Sequence, residues 1–205
     1  AHHGTDLARK AEARGVVLGF EASVAGGIPI LKVLREGLAA NRIDRIHGIL
    51  NGTCNYILTL MRDESRDFAD VLAEAQRLGY AEADPSFDID GIDTAHKLAL
   101  LAAVAFGGAV DLDGIHVEGI RHVSAQDIAY AGELGYTIKL LGVARPTEHG
   151  LEQRVHPCMV PKAAPIAHVE GVFNAVVVEG NAVGRLMHEG RGAGDADAGD
   201  DVVRT

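Results

Sequence analysis

With 205 residues, 47% of them hydrophobic and 23% charged, the chain has the material for one substantial core, or for one domain with a fragment of another attached. Its formal net charge of −10 excludes a nucleic-acid or anionic-membrane surface as the organising feature, because either needs a basic patch and the sequence shows none. No apolar run reaches the roughly 20 residues of a membrane span, and the start, Ala1-His2-His3-Gly4, has no signal-peptide architecture. The two cysteines, Cys54 and Cys158, lie far apart without metal-ligand spacing and are expected as free thiols, compatible with a reducing, cytoplasmic compartment. The ten histidines are scattered and predict no zinc site.

In chain order, residues 5–14 read as the end of a helix closed by Gly15. Residues 16–22 form a short β-rich run leading into the loop Val24-Ala25-Gly26-Gly27. Pro29 suits the first turn of a helix through about Ala40. Residues 43–50 are a strand candidate, Asn51-Gly52-Thr53 a turn, and residues 56–62 a helix. Residues 68–78 carry a helical apolar stripe stopped by Gly79. A loop over 79–91 follows, dense in acids (Glu82, Asp84, Asp88, Asp90), with Pro85 taken to exclude helix. Residues 92–106 then predict a helix apolar almost all round. Beyond it come a helix at 125–134, strands at 136–144 and 151–160, and a hairpin of 172–179 with 182–188 turning at Gly180-Asn181. Helices come mainly first and strands mainly last, which predicts an α+β fold, a sheet covered by helices. From Gly190 onward the chain turns Gly-, Ala- and Asp-rich, with little to bury.

The polar members of the apolar helix, Asp93, Thr94, His96 and Lys97, all sit near its N-terminal end. Asp93 and Lys97 are four apart and share a face, acid before base, the favourable order. Burial of an ammonium is costly unless it is paired, and it also makes a lysine easier to deprotonate, which is how proteins make proton-transfer lysines. A structural ion pair accounts for the same spacing. The four carboxylates just upstream add a second reading: a site for a small substrate that carries an ammonium group and an oxygen that exchanges a proton.

Three blocks carry a resemblance. Gly79-Tyr80-Ala81-Glu82-Ala83-Asp84-Pro85, followed by Asp88, Gly91, Asp93, Ala95, His96 and Lys97, resembles the signature of homoserine dehydrogenases. Phe20-Glu21-Ala22-Ser23-Val24-Ala25-Gly26-Gly27-Ile28-Pro29-Ile30 and Gly48-Ile49-Leu50-Asn51-Gly52-Thr53-Cys54-Asn55-Tyr56 agree with it, in the right order. The resemblance continues more weakly to about Gly194. It implies NAD(P)-dependent interconversion of L-homoserine and aspartate 4-semialdehyde, in the biosynthesis of threonine, methionine and isoleucine. It makes Lys97 the proton donor or acceptor and Asp93 its orienting partner, with Glu82 and Asp93 binding the substrate. Gly79 and Gly194 would let the backbone approach the nicotinamide cofactor, NADP or NAD; Asn51-Gly52-Thr53, otherwise a mere turn, would lie near the nicotinamide and the substrate, with Thr53 at the cofactor. The backbone carbonyls of Glu21, Val24, Gly26 and Ile28 would hold a monovalent cation, Na+ or K+; only the resemblance implies this, and from the residues alone a tight turn before a helix is the favoured reading of that block. A homodimer is implied as well.

A complete enzyme of this kind begins with a strand, a G-x-G-x-x-G turn and a helix. The expectation is therefore a catalytic and dimerisation domain over 21–189, with remnants of a Rossmann-type nucleotide-binding domain at 1–20 and 190–205. Such a fragment is expected to bind cofactor weakly and turn over negligibly. Gly190-Arg191-Gly192-Ala193-Gly194 resembles the return segment of the family, but the acidic residues 195–201 depart from it. Two other readings stay open, a non-enzymatic dimerisation module and a different NAD(P)-linked enzyme of amino-acid metabolism.

Overall fold

The computed structural model describes residues 1–192; Gly194 and the acidic segment 195–201 lie outside the described residues. The fold is α+β. Its sheet has six strands in the order β2-β4-β3-β1-β5-β6, where β1 is Ile43–Ile49, β2 His116–Val117, β3 Tyr136–Thr147, β4 Gly150–Pro161, β5 Phe173–Gly180 and β6 Gly184–Arg191. All pairings are antiparallel except β2 with β4. Helices α1 (Gly4–Ala13), α2 (Ala22–Ala25), α3 (Ile30–Lys32), α4 (Gly52–Glu64), α5 (Phe68–Arg77), α6 (Ser86–Ile89), α7 (Ile92–Phe106) and α8 (Ala125–Glu133) complete the architecture.

The pleat divides the apolar residues between two cores, since successive strand side chains point to opposite faces. Leu140, Val176 and Val178 join the large core under the helices, with Ile57 of α4 and Leu98 and Leu101 of α7. Leu141, Ala175 and Val177 join a smaller core closed by a 3-10 turn at Pro165–His168. Close approach of α7 to the sheet is set by glycine. Gly48 of β1 faces Gly142 of β3, and a Cβ on Gly142 would lie 3.3 Å from Leu50 Cδ1 and 3.4 Å from Leu98 Cδ1. A larger residue there would push α7 off the sheet.

Several expectations needed correction. Residues 16–20 form no strand: Val17 is 97% exposed, and a strand without a pairing partner has no ladder to join. The helix expected from Pro29 to Ala40 is only Ile30–Lys32 before it widens into a π-helical turn over Val33–Gly37, where Leu38 N–H reaches back to the Val33 carbonyl and its side chain enters the core. Pro85 does not exclude helix, because it sits at the N-cap of α6 and leaves the following residues free to turn. Asn51-Gly52-Thr53 is the cap and first turn of α4 rather than a separate turn. The hairpin turns through residues 181–183, with β6 beginning at Gly184.

Just past the end of the β1–β3 pairing, Lys139 of β3 is 1% exposed. Its ammonium donates to Asn55 Oδ1 at 3.0 Å and to the Val169 carbonyl at 2.6 Å. The Asn55 amide in turn holds the carbonyls of Val169, Gly171 and Phe173, tying α4 to the connection before β5. Burial, and after it the Arg62 charge, lowers the Lys139 pKa to about 8, with Glu170 and Asp63 opposing. A free-chain lysine titrates near about 10.4, so the unfolded chain binds more protons between the two values, and stability rises with pH across that window. The penalty is fully present below it. Lys139→Met should abolish a rise on the order of 3 kcal/mol, read as urea midpoints on either side of the window; an unchanged rise would place its source elsewhere.

Candidate active site

Strand β1 ends at Ile49, and the next two residues carry the chain into α4. Asn51 stays extended (φ −133°, ψ 116°) and caps that helix, its side chain accepting from the Cys54 N–H at 2.8 Å. Helix α7 points its first turn at this junction. Gly91, its N-cap, holds φ +83°, the left-handed conformation that lets the chain turn sharply from α6 into α7.

The junction and the helix meet at Lys97. Its Nζ lies 2.7 Å from Asp93 Oδ2 and 3.0 Å from the Leu50 carbonyl. The two side chains are 23% and 18% exposed, so the pair is half sheltered and still reachable. The Asn51 amide donates to Asp93 Oδ2 at 2.9 Å and to Asp88 Oδ1 at 2.8 Å. The spacing of Asp93 and Lys97 therefore does make an ion pair, and the pair is part of a larger polar cluster.

The four loop carboxylates do not all converge. Asp84 is held within its own turn by Ser86, whose side-chain hydroxyl and then backbone N–H keep its carboxyl below the usual range. Asp90 is paired in fork geometry with Arg121, at 2.9 and 3.0 Å. Asp88 joins the cluster through Asn51. Glu82 lies exposed on the same loop, its carbonyl accepting from Gln76 Nε2 at 3.0 Å. Thr53 donates to the Tyr80 carbonyl at 3.0 Å, which brings it beside Gly79. Gly79 takes φ +80°, and apart from its chain neighbours no atom lies within 4 Å of where its Cβ would be, so its backbone is exposed. Cys54 is no nucleophile: burial, and then the charge of Asp88 and Asp93, pushes its thiol well above the usual range, and its Sγ donates to the Asp88 carbonyl.

The second block forms a separate feature. The Glu21 carboxylate is occupied in capping, accepting from the N–H groups of Leu31 at 2.7 Å and Lys32 at 2.9 Å. The carbonyls of Glu21 and Ile28 each accept one backbone bond, from Val24 and Ile30, leaving each a lone pair. The turn opens on a cavity of about 460 Å3 lined by Gly27, Ile28, Pro29 and residues 187–191.

The comparisons with known proteins decide the family. The family model for homoserine dehydrogenase matches residues 29–204. The chain belongs to the homoserine dehydrogenase family. A homoserine dehydrogenase of Pseudomonas aeruginosa is 55% identical over 203 residues, 99% of this chain and 47% of that protein; one of Bacillus subtilis is 46% identical over 203 residues, again 99% and 47%. Among solved structures, the homoserine dehydrogenase of Thiobacillus denitrificans matches with TM-score 0.95 at 54% identity, over 98% of this chain and 47% of that one. A hyperthermophilic archaeal homoserine dehydrogenase in complex with NADPH matches with TM-score 0.81 at 30% identity, over 98% of this chain and 59% of that one. The chain thus spans about half the length of the curated homoserine dehydrogenases it matches.

Sequence reasoning did not anticipate the Leu50 carbonyl, nor the contacts by which Asn51 caps α4 and joins Asp88 to Asp93. A carbonyl leaves no mark on residue identity, but Asn51 did carry a signal, an asparagine directly before a helix-compatible run. Gly91→Ala tests how tightly the site is built. Its Cβ would lie 3.1 Å from Val155 Cγ1 and 3.2 Å from Val117 Cγ1 in a left-handed conformation. The expected loss is about 1–3 kcal/mol in denaturant unfolding, and an unchanged midpoint would contradict it.

Proposed function

We propose that this chain is the substrate-binding and catalytic part of a homoserine dehydrogenase, interconverting L-homoserine and L-aspartate 4-semialdehyde with NADP or NAD. One observation carries the reading: the Lys97 ammonium is fixed between Asp93 and the Leu50 carbonyl while remaining reachable. A proton carrier needs that combination, because it must sit within hydrogen-bond reach of a bound oxygen and keep one N–H or lone pair for it. In the oxidation direction Lys97, as the free amine, takes the hydroxyl proton of homoserine; in reduction its ammonium returns a proton to the carbonyl oxygen. Asp93 orients Lys97 and, with Glu82, receives the substrate's ammonium group through charge-assisted hydrogen bonds. The nicotinamide, when bound, accepts or supplies the hydride.

Gly79 and Thr53 are proposed to line the nicotinamide side of this site, supported by the open left-handed backbone at Gly79 and the Thr53 bond beside it. Gly194 is proposed for the same role from the family pattern. A monovalent cation, Na+ or K+, is proposed at the carbonyls of Glu21, Val24, Gly26 and Ile28. The Glu21 carboxylate is already spent on capping, which leaves carbonyl oxygens as the available donors. The division into a catalytic domain over 21–189 flanked by parts of a nucleotide-binding domain belongs to the same reading, as do a cytoplasmic location and a homodimer.

The test joins this chain to a nucleotide-binding domain of the family and follows cofactor-dependent oxidation of homoserine. The joined protein should be active, and Lys97→Ala should lower kcat by about 100-fold or more. Equal activity of the two would make the Asp93–Lys97 pair structural, and a folded but inactive joined protein would favour a scaffold.

A further inference from the structure

Asn51 is 6% exposed, and its side chain sits where three elements meet: the β1–α4 junction, α6 and α7. Its orientation is settled by its partners. The Cys54 N–H faces one side of the amide and so requires the oxygen there, which leaves the nitrogen facing two carboxylates. Both hydrogens of that nitrogen are used, one on Asp88 Oδ1 and one on Asp93 Oδ2. Asp93 Oδ2 is the same atom that accepts from Lys97. The Leu50 carbonyl that completes the Lys97 site belongs to the residue next to Asn51 in the chain.

Two carboxylates brought this close repel each other, and a shared donor offsets that repulsion by giving each a charge-assisted bond. We infer that Asn51 is a positioning residue of the proposed site, fixing the rotamer of Asp93 that holds Lys97 and tying it to Asp88, so that Asp93 stays in place to receive the substrate ammonium with Glu82. This rests on the homoserine dehydrogenase reading above. Asn51 touches neither substrate nor cofactor in this account; it acts through Asp93. The Cys54 Sγ bond to the Asp88 carbonyl supports the same clasp from the first turn of α4.

The cap and the clasp are separable. Serine caps a helix about as well as asparagine but is too short to reach both carboxylates. Asn51→Ser in the joined protein should therefore fold, leave KM for the nicotinamide cofactor within about twofold, and lower kcat by about 10- to 100-fold, the scale of a small misplacement at a reacting centre. In an Asp93→Asn background the same change should cost less than about threefold, because the residue through which Asn51 acts is already lost. A kcat within twofold of the parent, or an equal loss in both backgrounds, overturns the inference. If the unsubstituted joined protein is inactive, the reaction fails but the clasp is still decided on this chain by NMR. Asn51→Ser should then move the Asp93 carboxyl and Lys97 side-chain carbon resonances and leave the capped Cys54 amide in place; unmoved resonances overturn it.

Discussion

A lysine side chain that is three-quarters out of water must find acceptors for the protons of its ammonium group, and at Lys97 those acceptors come from two different parts of the chain. Asp93 is supplied by the same helix, one turn earlier, and the Leu50 carbonyl by the end of β1. The first is a local consequence of spacing. The second requires α7 to dock against the sheet at one height and rotation, which Gly142 allows and Leu98 fills. Most of the large core can be understood as the support that keeps this one contact in register.

The acid loop is organised by the same constraint. Four carboxylates packed around one lysine would repel one another, and the structure separates them. Asp90 is neutralised by Arg121, Asp84 is used within its own turn, Asp88 is held by Asn51, and Glu82 is left in the open. Neutralising some acids and leaving others reachable is what a site for a cationic group needs. Lys139 poses a similar problem with a different solution, an ammonium satisfied by an amide and a carbonyl at the cost of a lowered proton affinity.

Much of this was legible in the residues. The apolar stripe of residues 68–78 and the almost wholly apolar run of 92–106 anticipated α5 and α7, and the strand candidates at 136–144, 151–160 and 172–179 match β3, β4 and β5 to within a few residues. The pairing of Asp93 with Lys97 followed from spacing alone. What sequence did not reveal had tertiary causes. Residues 16–20 read as a strand by composition, but strand formation depends on a partner that local pattern does not report. The π-helical turn after α3 follows from seating Leu38 in the core, a demand visible only once the core exists. The distribution of the loop acids depended on Arg121, some thirty residues away. Backbone geometry, such as the left-handed conformation at Gly79 and the turn of the Glu21 block, leaves little trace in side-chain identity.

The most direct measurement is a crystal structure of the chain, joined to a nucleotide-binding domain of the family, with L-homoserine bound. The account predicts the substrate hydroxyl within about 3.2 Å of Lys97 Nζ, with its ammonium group toward Asp93 and Glu82. Homoserine ordered with its hydroxyl away from Lys97, or bound elsewhere on the chain, would contradict it.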